Sequence, residues 1–329
     1  MQNFVTFSRN VFIPLTSVCR NNCAYCGFKR EINDKCALLD KQSVVSLLRR
    51  GAASSCTEAL FTFGEQPEEV DGFSDRLKEI GFDSFIDYLL ECSRIAIKFG
   101  LLPHTNAGVL PDTDLLKLKP VNASMGLMLE TVANLQAHRD SPGKNPVERI
   151  RFIEASGRYQ IPFTTGILVG IGEDENDRIN SLKVIAKIHR RYGHIQEVII
   201  QNFSPKPNTR MSDAPTPSTG VMLQTVSLAR DILPSDVAVQ VAPNLIHPGT
   251  LIEHGACDLG GISPVTIDYI NPEAAWPRIR ELADATGVPL RERLPIYPGY
   301  IKAGWYSKEI KPLIDRLADK DGFRKVVFA

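Results

Sequence analysis

The sequence predicts an α/β fold, a (β/α)8 barrel of the TIM type, and three observations support that prediction. Short β-branched or apolar runs alternate with amphipathic segments about eight times, which is typical of strand–helix units around a parallel sheet. No shift in composition divides the 329 residues. Polar residues repeatedly follow the predicted strands, and the carboxyl ends of barrel strands converge on one face, where active sites are built.

The strand–helix units occupy residues 1–270, and residues 271–329 are predicted to form a short C-terminal extension. The extension begins with a helical pattern, PEAAWPRIRELADATG, and continues with the proline-rich stretch LRERLPIYPGYI. We expect a helix and an extended segment that pack on the barrel within a single structural domain.

Local signals predict the first two units. The β-branched and aromatic run Phe4–Thr16 predicts one strand or a short hairpin, which leads into a loop rich in cysteine. Asp40 is placed to cap the helix that follows, which stops at Gly51. The apolar run Ala59–Phe63 predicts a buried second strand, and DSFIDYLLECSRIAIKFG has the three- and four-residue apolar spacing of a helix.

The later units follow the same pattern. VNASMGLMLE predicts a fourth strand that ends at Glu130, and Asp112 is expected to cap the short helix before it. The next helix has Asn145 as its cap and Pro146 at its first position, where the missing N–H of proline costs nothing. The other predicted strands are LLPHTNAG, PFTTGILVGIGED, EVIIQNFSPKP, VAVQVAPNL and a final apolar segment around CDLGGISPV.

Composition excludes several classes of protein. Acidic and basic residues balance at 38 each, so no net field attracts nucleic acid. The N-terminal stretch lacks the apolar core of a signal peptide, and no apolar run is long enough to span a bilayer. Seven cysteines, an odd number, do not suit a disulfide framework in a chain this long. We expect a cytoplasmic protein that binds neither nucleic acid nor membrane.

The stretch CRNNCAYC contains three thiols, Cys19, Cys23 and Cys26, in the pattern C-x3-C-x2-C. A structural zinc site takes four protein ligands, and an ordinary four-iron cluster takes four thiolates. Three thiolates in one loop would leave one iron of a [4Fe–4S] cluster open to a small molecule. The alternatives are half of a zinc site whose fourth ligand lies elsewhere, and cysteines that only pack. The remaining cysteines are expected to be small buried hydrophobes.

An open iron of this kind suits the amino and carboxylate groups of S-adenosylmethionine. Such a cofactor needs an acceptor for its amino group, which Gly64–Glu65 could supply, and a cation such as arginine for its carboxylate. It also needs an apolar or aromatic surface for adenine. Beyond it, His104, Asn106, Gln201 and Asn202 are polar side chains at predicted strand ends, suitably placed for a substrate.

The motifs resemble those of radical S-adenosylmethionine enzymes. The three thiols with an aromatic residue, Tyr25, before the last of them match that superfamily's signature. Gly64–Glu65 looks like its glycine–glutamate motif, and Gly-Ile-Gly-Glu around Ile171 looks like its GxIxGxxE-type segment. The surroundings of Glu130 and Arg149 are similar to the biotin-synthase-like branch, which implies that these two residues bind the methionine part of the cofactor.

Further stretches resemble the CofG subunit family of 7,8-didemethyl-8-hydroxy-5-deazariboflavin synthase, from about Val11 to Ile301. The matching stretches are LFTFGEQPEE, LLPHTNAGVL, HRDSPGKNP, QNFSPKPNT, APNL, DLGGISPVTIDYINPE and LRERLPIYPGYI. The sequence departs from the family pattern at DLGG, where a tryptophan is expected after the aspartate.

The resemblance implies a radical enzyme that cyclises a tyrosine-derived ribityl-pyrimidine to a deazaflavin and releases ammonia, 5′-deoxyadenosine and methionine. It implies a [4Fe–4S] cluster and S-adenosylmethionine as cofactors. A CofH-type partner radical enzyme would supply the small-molecule substrate, and a low-potential donor would supply electrons. Two alternatives stay open: another biotin-synthase-like enzyme of the sulfur-inserting or menaquinone-pathway type, and a non-catalytic zinc or iron–sulfur protein.

Overall fold

The computed structural model describes residues 4–326 and contains a closed barrel of parallel strands. The strands are β1 (Val5–Pro14), β2 (Glu58–Thr62), β3 (Leu102–Asn106), β4 (Ser124–Gly126), β5 (Phe163–Val169), β6 (Ile195–Asn202), β7 (Ala238–Val241), β8 (Asp258–Ile262) and β9 (Leu290–Glu292). Neighbours pair in chain order from β2 to β8, and β1 closes the ring by pairing with β2 and β8. The predicted (β/α)8 barrel is confirmed.

Helices pack around the barrel and, in the C-terminal segment, at its amino-terminal end; Val44 and Leu48 of the first helix are fully buried. They are α1 (Lys41–Ala53), α2 (Phe73–Glu79), α3 (Phe85–Lys98), α4 (Asp112–Leu118), α5 (Pro146–Arg158), α6 (Glu175–Tyr192), α7 (Thr219–Ile232), α8 (Pro248–Glu253), α9 (Ile279–Thr286), α10 (Pro298–Lys302) and α11 (Lys311–Leu317). Across residues 4–326, none of these helices has the length and apolar character needed to cross a bilayer.

Local capping signals explain where two of the helices begin. Asp40 accepts a hydrogen bond from the backbone amide of Ser43 at 2.8 Å, as predicted, although α1 runs to Ala53 and not to Gly51. Asn145 accepts a hydrogen bond from the amide of Val147 at 2.9 Å and Pro146 follows it, which confirms the predicted start of α5.

The predicted cap of α4 is wrong. Asp112 is the first residue of that helix and Pro111 precedes it, with no side-chain cap. The carboxylate of Asp112 instead accepts a hydrogen bond from the hydroxyl of Tyr159 at 2.7 Å, so it is directed toward helix α5 and away from its own backbone.

The fourth strand is shorter than the sequence predicts. β4 ends at Gly126, whereas we expected it to reach Glu130. Glu130 has φ of 64°, a left-handed conformation that a strand cannot accommodate, and pairs with β5 only through an isolated bridge to Ile167. The chain therefore turns at the carboxyl end of β4, and Glu130 lies on that turn.

Alternation along each strand separates the hydrophobic core from the lumen of the barrel. On β2, Ala59 and Phe61 face the helices and are fully buried, whereas Glu58, Leu60 and Thr62 line the lumen. The lumen of this barrel is therefore partly polar and open, and the apolar core lies between strands and helices.

The C-terminal segment closes the amino-terminal end of the barrel, and the sequence pattern did not predict its β9, α10 or α11. β9 pairs with the start of β1, where Val5 lies opposite Leu290. The chain then crosses beneath the lumen, and the carbonyl of Pro295 accepts hydrogen bonds from Ser124 at 2.6 Å and Gln196 at 2.9 Å. The lumen thus has a floor made by the tail.

Candidate active site

A cavity of about 370 Å³ occupies the barrel lumen and opens at the carboxyl ends of the strands. Its mouth is formed by the cysteine loop (residues 19–26) and by the turns after β2 and β4. Its floor is formed by residues from the amino-terminal strand ends and the tail: Ser8, Glu58, His104, Thr164, Glu197, Arg293 and Pro295. One cavity therefore connects the cysteine loop with the polar interior of the barrel.

Cys19, Cys23 and Cys26 all line the cavity as partly exposed free thiols. The sulfur of Cys19 accepts hydrogen bonds from the backbone amides of Asn21 at 3.4 Å and Glu65 at 3.2 Å. Burial raises the pKa of the Cys19 and Cys26 thiols. Their surroundings alone therefore do not stabilise thiolates, and a bound metal cation would have to supply that stabilisation.

The arrangement of the three thiols fits an iron–sulfur cluster. Within residues 4–326, no three His, Cys, Asp or Glu side chains converge on one point as a single metal ion requires. A four-iron cluster binds each thiolate at a different corner, so its ligands do not have to meet at one point. Three sulfurs of one loop that face one cavity therefore suit a cluster with an open iron.

The other cysteines lie outside the cavity. Cys56 and Cys92 are buried, as predicted, and Cys257 is partly buried. The expectation was wrong for Cys36, which is exposed in a turn where its amide donates a hydrogen bond to Asp34 at 2.8 Å.

The glycine–glutamate pair after β2 packs directly on the cysteine loop. A Cβ at Gly64 would collide with the carbonyl carbon of Val18 at 2.6 Å and the Cβ of Cys19 at 2.7 Å, so only glycine fits. The carboxylate of Glu65 is 5% exposed and accepts hydrogen bonds from Arg20 at 2.9 and 3.1 Å. This turn holds the loop in place and borders the cavity.

Arg149 is buried at the start of α5, where the helix dipole disfavours a cation. Three acceptors compensate: the carbonyl of Met128 at 2.6 Å, the carbonyl of Gly143 at 2.8 Å and the carboxylate of Glu65 at 3.3 Å. The predicted cofactor residue therefore also ties together the turn after β2, the turn after β4 and the loop before α5.

Lys144 provides a second cation at the mouth, which sequence analysis did not single out. Its ammonium nitrogen lies 2.5 Å from the carboxylate of Glu130. Burial alone would raise the pKa of Glu130, but the charges of Lys144 and Arg149 lower it, so the carboxylate is ionised. The sequence indicates Lys144 only through the stretch HRDSPGKNP, which resembles the CofG family.

Tyr25 lines the cavity beside the cysteine loop, and its hydroxyl lies 3.0 Å from Nε2 of His138. Burial lowers the pKa of His138 to about 4, so the imidazole is neutral at neutral pH. Burial also raises the pKa of Tyr25, which keeps the phenol protonated. Tyr25 therefore presents an uncharged aromatic surface at the mouth, and its partner His138 is also neutral.

Ile171 is 2% exposed and packs with Ala24 and Phe203 in a small apolar cluster next to the cavity, and it does not line the cavity itself. The carboxylate of Glu173 accepts hydrogen bonds from the amides of Gly170 and Ile171, each at 2.8 Å. Glu173 therefore fixes the conformation of the Gly-Ile-Gly-Glu turn.

The four polar residues nominated for a substrate, His104, Asn106, Gln201 and Asn202, all line the cavity. Nδ1 of His104 lies 2.6 Å from the hydroxyl of Ser124, and burial lowers the pKa of His104 to about 3, so the ring is neutral. The amide oxygen of Asn202 is buried and has no hydrogen-bond partner among the described residues. Such an atom favours a polar ligand.

Sequence analysis missed the charged groups at the floor. Arg293 comes from the tail, and Glu58, Glu197 and Asp258 stand at the amino-terminal ends of β2, β6 and β8. The sequence does contain a pattern that could have indicated this cluster, because an acidic residue begins three of the apolar strand segments: EALF, EVII and DLGG. Parallel strands begin at the same end of a barrel, so these carboxylates meet beneath the lumen.

The closed barrel with three cysteines at its mouth defines the class of protein. Residues 13–185 match the family model of the Radical SAM superfamily. The maturase HydG from Carboxydothermus hydrogenoformans has the same fold, with a TM-score of 0.73 and 18% identity over 97% of this chain and 75% of that one. Methylornithine synthase (PylB) gives a TM-score of 0.68 and 19% identity over 88% and 84%.

Relatives of higher identity define the family within that class. The chain is 57% identical over 323 residues to 7,8-didemethyl-8-hydroxy-5-deazariboflavin synthase of Methanosarcina mazei, covering 98% of this chain and 96% of the relative. It is 51% identical over 327 residues to the synthase of Archaeoglobus fulgidus, covering 98% and 99%. The chain belongs to the radical SAM superfamily and, within it, to the family of 7,8-didemethyl-8-hydroxy-5-deazariboflavin synthases. Its cofactors are therefore a [4Fe–4S] cluster and S-adenosylmethionine.

Proposed function

We propose that this chain is the radical enzyme that converts 5-amino-5-(4-hydroxybenzyl)-6-(D-ribitylimino)-5,6-dihydrouracil to 7,8-didemethyl-8-hydroxy-5-deazariboflavin, with release of ammonia, 5′-deoxyadenosine and methionine. The observation that carries the proposal is the single cavity that joins the three thiols to a polar barrel interior. The reaction is proposed because the chain belongs to the synthase family, and the cavity would bind its cofactor and substrate.

Cys19, Cys23 and Cys26 would hold the cluster at the mouth. When bound there, the cluster and S-adenosylmethionine would supply reductive carbon–sulfur cleavage, the radical chemistry of the cofactor. Around the methionine part, Glu130 offers an ionised carboxylate to the amino group.

The remaining cofactor residues would shape the same site. The pair Gly64 and Glu65 would hold the cysteine loop against the cofactor, and Arg149 would join both to the turn after β4. Tyr25 would offer an aromatic surface to adenine, and Ile171 would act through the turn it belongs to, because its own side chain lies behind the cavity wall.

The substrate would lie deeper in the lumen. Its pyrimidinedione, ribityl chain and phenol need hydrogen-bonding groups, and the amides of Asn106, Gln201 and Asn202 would supply them. His104 would act as a neutral donor or acceptor, because its ring stays uncharged at neutral pH. Apolar lining by Leu60, Leu168 and Ile199 would exclude water from the radical.

Two partners follow from this reaction. The substrate combines tyrosine with a diaminouracil, and we propose that a CofH-type radical enzyme makes it and passes it on. A low-potential electron donor would bring the cluster to its reduced state. We also propose that the protein works in the cytoplasm, where thiols stay reduced.

Anaerobic reconstitution followed by metal analysis tests the proposed site. The protein should bind about four irons per chain and release 5′-deoxyadenosine when reduced with S-adenosylmethionine. Cys23→Ala should lose both properties, whereas Cys36→Ala should keep both, because Cys36 is an exposed cysteine outside the cavity. Retention of cluster and cleavage by Cys23→Ala would refute the assignment.

A further inference from the structure

Three buried carboxylates cluster at the floor of the cavity: Glu58 and Glu197 line it, and Asp258 adjoins it without lining it. Arg293 contacts two of them: it donates to Asp258 at 2.7 and 2.9 Å and to Glu197 at 2.8 Å. Among the residues that the structure describes, Arg293 is the cation in contact with this group, so its single charge cannot balance three ionised carboxylates.

Glu197 and Asp258 both accept charge-assisted hydrogen bonds from Arg293, although burial still raises the pKa of Glu197. Besides Arg293, Glu197 accepts hydrogen bonds from Thr164 and Tyr297, each at 2.7 Å. Asp258 accepts hydrogen bonds from Thr6 and from the amide of Gly260. The contacts of Arg293 with Glu197 and Asp258 therefore stabilise the packing of the tail beneath the barrel. Residues at this end of a TIM barrel usually contribute to stability.

Glu58 differs from both. Its hydrogen-bond partner is the neutral hydroxyl of Ser8 at 2.6 Å, and no basic side chain of the described chain lies within ion-pair distance. Burial is the main effect that raises the pKa of Glu58 to about 7. The hydrogen bond from Ser8 and the charge of Arg293 oppose this rise, and the charges of Glu197 and Asp258 add to it. The other titratable group on the floor, His104, is neutral. Glu58 is thus the carboxyl group of this cluster that no cation of the described residues contacts, and burial favours its protonated form.

The wall above Glu58 carries polar atoms that lack partners. The side-chain oxygens of Asn10 and Thr62 are buried and make no hydrogen bond within residues 4–326. Asn10 is 1% exposed and follows Ser8 by two positions on β1; Thr62 is 9% exposed and follows Glu58 by four positions on β2. All of them line the cavity. The lower lumen is therefore built to receive a polar molecule, and Glu58 faces that molecule.

We infer that Glu58 is the general acid that protonates the departing amine during ring closure, with Ser8 as its positioning residue; this rests on the proposed function. As the carbon–nitrogen bond breaks, its electron pair goes to nitrogen, and nitrogen takes the proton of Glu58, so neutral ammonia leaves. The Glu58 carboxylate then accepts the proton that the new ring loses on aromatisation. Glu58 is thereby regenerated, and the loss of ammonia is redox-neutral. Ring closure itself removes two electrons, which would reduce S-adenosylmethionine to 5′-deoxyadenosine and methionine, so no further oxidant is needed.

The test compares Glu58→Gln with Glu154→Gln, the same substitution on helix α5 outside the cavity. Both cluster-loaded proteins receive S-adenosylmethionine, reductant and the tyrosine–pyrimidine adduct. We expect Glu58→Gln to form 5′-deoxyadenosine but to give about 100-fold less deazaflavin for each 5′-deoxyadenosine, the usual cost of removing an acid–base group. Glu154→Gln should give the same ratio of deazaflavin to 5′-deoxyadenosine as the wild-type protein.

The pH dependence and the infrared spectrum separate an acid from a structural residue. Deazaflavin formation should decline as the pH rises through about 7 in the unchanged protein, and Glu58→Asp should retain a declining limb. A protonated carboxyl band should disappear over the same range and be absent from Glu58→Gln. Equal product ratios in Glu58→Gln, or no such band, would overturn the inference. Failure of the unchanged protein to form deazaflavin would instead refute the proposed function.

Discussion

Arg149 donates from Nη1 to the Oε2 atom of Glu65 at 3.3 Å, and this contact joins helix α5 to the turn after β2 at the cavity mouth. The same guanidinium donates to the carbonyls of Met128 and Gly143. A planar group with several fixed donors can hold three segments at once, which a lysine ammonium on a flexible stem does less well. The structure of the cavity mouth therefore depends on the buried guanidinium group of Arg149.

Substitution of Arg149 by lysine should separate cofactor binding from cluster binding. We expect Arg149→Lys to keep its iron but to bind S-adenosylmethionine about tenfold or more weakly, because the supporting contacts orient the binding groups. Arg151→Lys, on the same helix but 71% exposed, is the control and should bind normally. Equilibrium binding under anaerobic conditions measures both, and equal affinities would contradict the proposed role of Arg149.

The loop before α5 has no room for a side chain at Gly143. A Cβ there would overlap the carboxyl group of Glu65 and approach the amide nitrogen of Asn21 at 2.8 Å. Gly143→Ala should therefore displace the cysteine loop, destabilise the protein by about 1–3 kcal/mol and lower its iron content.

Gly299→Ala is the matched control for Gly143→Ala. A Cβ at Gly299 meets no described atom within 4 Å, and the residue lies in helix α10. Alanine there should be neutral or slightly stabilising. If Gly143→Ala loaded iron and unfolded like Gly299→Ala, the close packing of this loop on the cysteine loop would be wrong.

Removal of the cation on the cavity floor should be costly. Arg293→Met leaves Glu197 and Asp258 buried without a counter-charge, which should destabilise the cluster-loaded protein by about 3–5 kcal/mol. Arg291→Met, whose side chain is 34% exposed, should cost at most about 1 kcal/mol. The deficit of Arg293→Met should shrink as the pH falls and the carboxylates take up protons. Urea unfolding at several pH values tests both expectations.

Glu58 should make the free energy of unfolding depend on pH. Its pKa is raised from 4.5 to about 7 in the folded protein, so the folded state keeps a proton that the unfolded state releases. Stability from this group is complete below pH 4.5 and is lost as the pH rises to about 7. Glu58→Gln lacks this loss and should gain about 3 kcal/mol relative to the unchanged protein across that window. Parallel stability curves for the two proteins would contradict the assignment.

Much of the site could be predicted from sequence because its signals are local. Spacing identified Cys19, Cys23 and Cys26, and the barrel rule brought the strand-end residues to one cavity. Backbone geometry was harder to predict: β4 ends at Gly126 and Glu130 has a left-handed φ, and the continuous apolar run in the sequence indicates neither.

Contacts between distant segments could not be predicted. Arg293 reaches its partners Asp258 and Glu197 across 35 and 96 residues of chain, and no periodicity in the tail indicates that it passes beneath the lumen. The acids at the starts of strands β2, β6 and β8 were visible, but their meaning depends on that cation. The raised pKa of Glu58 therefore follows from the fold and not from any motif.

Product analysis tests the central claim most directly. The reconstituted protein is incubated anaerobically with reductant, S-adenosylmethionine and the tyrosine–pyrimidine adduct, and the products are identified by mass and fluorescence. We predict 7,8-didemethyl-8-hydroxy-5-deazariboflavin, together with ammonia, methionine and 5′-deoxyadenosine. Formation of 5′-deoxyadenosine while the adduct is recovered unchanged would contradict the proposed reaction.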